Sequence, residues 1–258
     1  MRYEMKTCTA VLAGVFFLFL MPARAENYAV VRTIHGTGSV QGASDEQPQT
    51  LALNIPLMEG DNAWTGADGQ MGLVLQDGNH IWVDTDTRFE VDQLPTDSPD
   101  DPRSLRLRLW KGSILLDMRV WGPGMDRYVV ATPSASAGPA ETGLTLIEVE
   151  NVDRTRVTCL NGRCFVASAG SSVGLGEGQM TYADYGYAPL APLAVNRVSS
   201  SLLNYRDANL PRRTSGRSER YLPENLAVYS DDLDSYGDWA YTADYGYVWR
   251  PTVVVADW

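Results

Sequence analysis

Histidine is scarce in this chain, with only His35 and His80. Two imidazoles are too few for a histidine-built metal site. Both also lie upstream of Gly170-Ser171-Ser172-Val173-Gly174, the one stretch that matches the G-x-S-x-G nucleophile pattern. No helix follows the motif, and the order that goes with it is serine, then acid, then histidine, so the stretch does not read as a hydrolase nucleophile elbow. Cysteine is nearly as rare, with three residues. Cys8 precedes the apolar run of the N-terminus rather than following it, which rules out a lipoprotein acylation site. Positive charge is in deficit: 21 Lys and Arg stand against 32 Asp and Glu, a net of −11. Residues 1–25 carry Arg2, Lys6 and Arg24 against Glu4, a net of +2, so the remainder carries −13. Such a surface opposes nucleic-acid and anionic-membrane partners.

Long hydrophobic runs are limited to one, Ala10 to Met21. It follows a charged start, is broken by Pro22, and ends at Ala23-Arg24-Ala25. These features predict a secretory signal peptide over residues 1–25, cleaved after Ala25. The run falls short of the roughly 20 apolar residues of a span, with an uncleaved anchor as the alternative. Export implies the periplasm or cell surface and an oxidising environment.

From residue 26 to 187 the chain reads as short strands separated by turns. The expected strands are 29–34, 49–53, 70–76, 80–83, 105–110, 113–120, 128–132, 144–150, 154–160 and 164–168. Leu105, Leu107 and Leu109 alternate with Arg106 and Arg108, the period of a strand with one buried face. Asp77-Gly78 between apolar runs predicts a tight hairpin. Residues 95–102 and 133–143 read as polar, Pro-rich loops. The fold class is all-β, an antiparallel sandwich or roll. Cys159 and Cys164 flank Leu160-Asn161-Gly162-Arg163. A two-residue turn at Asn161-Gly162 would make the cysteines opposing partners at roughly 4.5–5.5 Å between Cα atoms, a distance that suits a disulfide.

Several segments resemble the FecR family of bacterial envelope proteins. They are Asn54-Ile55-Pro56-Leu57, Gly60-Asp61, Thr65-Gly66, Leu73-Val74-Leu75-Gln76-Asp77-Gly78, Trp110-Lys111-Gly112, Val130-Ala131-Thr132-Pro133 and Val173 to Gln179. Gly143-Leu144-Thr145 departs from the family's usual Gly-Thr. The resemblance implies a β-rich extracytoplasmic domain. FecR sensors couple such a domain through a membrane helix to a cytoplasmic σ-regulating domain, which lies outside this sequence.

Residues 188–220 read as a Pro/Arg-rich linker containing Arg197, Arg206, Arg212, Arg213, Arg217 and Arg220, with a short helix ended by Pro211. The bland reading is a solvated connector, the sharper one a dock for an acidic envelope polymer. Residues 221–258 form a small unit, expected as a helix from Pro223 capped by Gly237 and then a hairpin. It resembles a Tyr/Trp-rich domain of unknown function that follows FecR-like domains, on Leu222-Pro223, Tyr236-Gly237, Trp239 and Asp244 to Pro251. The chain reaches only Trp258, which leaves this copy open to being incomplete. Ala183-Asp184-Tyr185-Gly186-Tyr187 is echoed by Ala243-Asp244-Tyr245-Gly246-Tyr247.

Trp239, Tyr241, Tyr245, Tyr247 and Trp249 are the candidate binding residues. Two roles compete: the core of a unit poor in aliphatics, or a platform for sugar rings or protein segments. The expectation is that they divide between core and surface. Asp84, Asp86, Asp231, Asp232 and Asp234 lack the EF-hand spacing and read as solvated carboxylates. No catalytic residue, metal or cofactor is expected. The sequence therefore reads as an exported, non-enzymatic module that binds an envelope polymer or protein. The alternatives are a FecR-type signalling component and an envelope polysaccharide-processing enzyme.

Overall fold

The computed structural model describes residues 27–95, 104–122, 128–196, 198, 200–210, 216–223, 226 and 229–252. The expected signal peptide, most of the 95–102 loop, Arg197, Arg212 and Arg213 lie outside them.

In chain order the body's strands are β1 (Tyr28–His35), β2 (Gly38–Gln41), β3 (Gln49–Thr50), β4 (Pro56–Met58), β5 (Asn62–Thr65), β6 (Gln70–Leu75), β7 (His80–Val83) and β8 (Arg88–Gln93). There follow β9 (Arg106–Met118), β10 (Val129–Ala131), β11 (Ser136–Pro139), β12 (Gly143–Asn151), β13 (Arg154–Asn161), β14 (Arg163–Ser168), β15 (Ser171–Gly176), β16 (Gln179–Asp184) and β17 (Leu193–Ala194). They form two layers. The first has the order β4-β1-β6-β7-β9-β12-β13-β16-β17. The second has the order β3-β2-β5-β8-β9-β10-β11-β14-β15. This is the expected all-β sandwich or roll, with one exception to antiparallel pairing among the described residues: β10 runs parallel to β9.

β9 belongs to both layers. Residues 106–111 pair with β8 and β10 in the second, and residues 112–118 pair with β7 and β12 in the first. The sequence suggested two strands here. They are one, bent at Gly112, where φ is 87°. A Cβ at Gly112 would lie 2.2 Å from Thr87 Oγ1 and 2.6 Å from its Cα, so the crossing demands glycine. Leu105, Leu107 and Leu109 face the core as their alternation predicts. Arg108 points outward, paired with Glu90 and Asp92. Inward residues of both layers, among them Val31, Leu57, Ile81, Phe89, Leu107, Leu116, Ile147, Val157 and Val166, form one core.

Three local expectations change. The Asp77-Gly78 hairpin has a three-residue loop, Gln76 to Gly78, because Leu75 N–H bonds Asn79 O at 2.9 Å and Gly78 alone takes a positive φ. Residues 133–143 are not simply a loop: they contain β11, with Ala137, Gly138 and Pro139 buried. Its side chains are too small to show a hydrophobic period. They must be small, since a Cβ at Gly138 would lie 2.0 Å from Tyr128 O. Asn161-Gly162 is not a hairpin turn, because β13 pairs with β12 and β16 while β14 pairs with β11 and β15. The chain changes layer there, with Gly162 at φ 76°.

The helix expected before Pro211 is α1 (Ser201–Asn209), capped by Ser200 Oγ on Leu202 N–H at 3.2 Å. It is docked rather than solvated. Leu202 is buried against Trp82, Leu115 and Leu146 on the outer face of the first layer. Arg206 pairs with Asp117 at 2.9 Å.

Candidate functional site

The aromatic unit is built from a 3-10 turn (Glu219–Tyr221), the short helix α2 (Ser230–Tyr236), and a separate hairpin of β18 (Gly237–Thr242) and β19 (Gly246–Pro251). The helix is shorter than expected, starting at Ser230 instead of Pro223. Gly237 is its C-cap, donating to Leu233 O, but with φ −167° the backbone is extended rather than left-handed. Glycine is needed there for proximity: a Cβ would lie 2.4 Å from both Arg250 O and the Trp249 ring.

Register places Trp239 opposite Trp249 and Tyr241 opposite Tyr247, so the two sets of aromatics share one face. Tyr221, which the sequence reading did not single out, packs over this face at 4.8 Å from Trp239 and 4.5 Å from Tyr247, ring centre to ring centre. It has no periodic partner in sequence, and only the turn brings it there. Tyr241 and Tyr247 meet edge to face at 5.4 Å. Both indoles are half-buried and fixed by their N–H groups. Trp249 Nε1 donates to Leu233 O at 2.9 Å, and Trp239 Nε1 to Ser218 Oγ at 2.8 Å. Ser218 Oγ in turn donates to Asp234 Oδ1 at 2.6 Å, and Asp234 also accepts from the backbone N–H groups of Arg217 and Ser218. Burial pushes the Asp234 carboxyl up, but these donors outweigh it and hold the group below its ordinary value. Asp234 is thus a structural acceptor, not the solvated carboxylate expected.

The tyrosines differ from the tryptophans. Tyr241, Tyr245 and Tyr247 are 69%, 82% and 54% exposed. A cleft of about 130 Å³ beside Trp239 and Tyr221 is lined further by Arg217, Arg220, Asp234 and Asp238. The unit meets the body at Tyr229, whose ring lies 5.3 Å from the Arg32 guanidinium and whose hydroxyl bonds Tyr28. The echoed segment shares a left-handed glycine and exposed tyrosines, though it does not close a hairpin. Gly186 and Gly246 take φ 79° and 72°, and Tyr185 and Tyr187 are exposed as well.

The other sequence candidates are dispersed. Ser172 lies exposed on β15, with no strand-to-helix elbow behind it. His35 is exposed and His80 buried. Asp84 accepts from Gln70 Nε2 and Ser201 Oγ, and Asp86 pairs with Lys111. Among the described residues no three His, Cys, Asp or Glu side chains are placed to hold a metal ion, and no helix is long and apolar enough to cross a membrane. Cys159 and Cys164 are buried thiols in contact with each other.

A two-layered β body with an appended aromatic hairpin defines the class. Residues 61–164 match the family model described as FecR protein. The matched stretch, about two fifths of the chain, runs from the corner before β5 to the start of β14. No curated protein matches the chain in sequence. Two crystal structures of a candidate anti-sigma factor from Parabacteroides distasonis ATCC 8503 are similar, with TM-scores of 0.41 and 0.40 at 14% identity. The matches cover 51% and 52% of this chain and 58% and 59% of those, so the chain spans less than two thirds of their length.

Proposed function

We propose that this chain is a non-catalytic component of FecR-type signalling, exported to the periplasm or cell surface and acting by contact with another protein. The FecR match over residues 61–164 carries the reading, since it covers the centre of both layers, β5 to the start of β14. The contact surface proposed is the aromatic face of the hairpin. Exposed tyrosines there are held by half-buried tryptophans whose polar atoms are already satisfied, the arrangement of an interface anchor. A second reading, binding of an envelope polymer, is favoured by the two Asp-Tyr-Gly-Tyr tips, which place exposed tyrosines beside glycines. A regulatory protein of this kind needs no bound cofactor.

Deletion of the gene should alter transcription of a limited gene set, and the wild-type chain should restore it. Tyr245→Ala, at the most exposed ring, should fail to restore it while melting like wild type. Trp249→Ala should instead destabilise the chain by about 3 kcal/mol, as truncation of a packed aromatic does. Unchanged transcription on deletion would sink the signalling reading. Glycan binding that the tyrosine variant loses would favour the second.

A further inference from the structure

We propose that Cys159 and Cys164 form a disulfide that ties the two layers together at the corner where the chain passes from one to the other. This rests on the corner's geometry and not on the signalling reading. Cys159 is paired in register with Thr145 and Gln179 in the first layer, and Cys164 with Pro139 and Leu175 in the second. Both side chains enter the shared core, at 0% and 2% exposure. They hydrogen-bond each other, and the Cys159 sulfur also lies 3.3 Å from Gly162 O. The corner is held from outside: a Cβ at Gly162 would lie 2.3 Å from Thr142 O. The approach of the sulfurs is therefore imposed by the strands on either side.

The surroundings do not suit a catalytic or metal-binding thiol. Such a thiol needs a cation or a helix N-terminus to hold it ionised. Here the charged neighbours are Glu141 and Glu177, which oppose ionisation, and Thr145 is the polar group beside Cys164. In the closed corner the contact draws the Cys159 thiol below its ordinary value, and the same contact with burial pushes Cys164 up. The oxidant is a protein or small-molecule disulfide. One thiolate attacks it to give a mixed disulfide and expel one thiol. The second cysteine, losing its proton, attacks the mixed disulfide, forms the Sγ–Sγ bond and releases the second thiol. Two electrons and two protons pass from the cysteines to the oxidant. Both sulfurs are shielded in the folded protein, so exchange occurs while the corner is still open, and the finished bond is protected from reductants.

The full chain, reduced and unfolded in denaturant, is refolded in buffer containing either oxidised plus reduced glutathione or reduced glutathione alone. It is then alkylated and mapped without reduction. The oxidised sample should contain the Cys159–Cys164 linkage and melt about 4–8 °C higher, as closing a short loop predicts for a chain of this size. The linkage should resist reductant until denaturant is added. Cys159→Ser with Cys164→Ser should remove the difference in melting between the buffers. Two alkylated cysteines after oxidative refolding, pairing of either with Cys8, or a melting difference that persists in the double variant would each overturn the proposal. The wild-type map decides even if the double variant fails to fold.

Discussion

His80 sits on β7 with its ring stacked on Trp82 at 5.9 Å between centres. Burial, reinforced by the positive charges of Arg119, Arg206 and Arg32, pushes it down to about 3. The imidazole is therefore neutral in the fold. Once unfolded it titrates near pH 6.5. Below that pH the unfolded chain takes up a proton that the folded chain refuses. The stability contributed is complete above about 6.5 and is lost as pH falls toward 3, reaching about 3 kcal/mol by pH 4. Asp234, held below its ordinary value, adds loss at the acid end of the same range. Thermal melts from pH 7 to pH 4 should show a falling midpoint, and His80→Gln should flatten the descent. An unchanged slope in the variant would remove His80 from the account. The sequence marked His80 as a strand residue but not as buried, because its burial depends on a helix more than a hundred positions away.

That helix, α1, spans nine residues, too few to hold a helix alone in water. Its stability comes from docking: Leu202 in an apolar patch, Tyr205 edge-on to Trp82 at 6.0 Å, and Arg206 on Asp117 with side chains only 17% and 6% exposed. Leu202→Ala should cost about 2–5 kcal/mol in chemical denaturation. Arg206→Met should cost about 3 kcal/mol or more, because it leaves Asp117 charged and buried. Asp117→Asn on top of it should recover part of that loss. If both single variants matched wild type, α1 would be a loose tail. The helix itself was legible from its spacing and from Pro211. Its docking face was hinted at by His80-Ile81-Trp82-Val83 and Ile114-Leu115-Leu116, runs without alternation that mark strands covered on both sides. Reading them as ordinary strands hid the need for a cover. The aromatic hairpin was legible in Tyr245-Gly246-Tyr247, but the sharing of one face by both strands depends on a register that spacing alone leaves open.

At the scale of the whole molecule, the long apolar strands and the FecR-like segments, β15 among them, were legible, whereas β2, β4, β5, β8, β11, β16 and β17 were not. These strands are short or built from small and polar residues, and several lie just past a corner, where the buried face switches as the layer changes. The corners themselves rest on left-handed glycines such as Gly112 and Gly162, which in sequence read only as turns. Among the described residues the strand ladders of β1–β8 and of β10–β17 join only through β9, although their side chains share one core. Amide hydrogen exchange should therefore be slowest along β9, and Gly112→Ala should lower protection on both sides of it together. Loss confined to one side would separate the two sets into independent units.

The placement of β9 has a consequence for the order of events as the proposed export delivers the chain, N-terminus first, across the membrane. Among the described residues, every strand that shares a ladder with β1–β8 has emerged by the time Met118 has. The first half can close on itself and on β9 while the rest is still crossing. β9 then offers its free edges as the template on which β10 and β12 begin the second half. Folding in this chain can proceed from N-terminus to C-terminus without waiting for a distant partner, which shortens the time that unpaired edges stand open to aggregation.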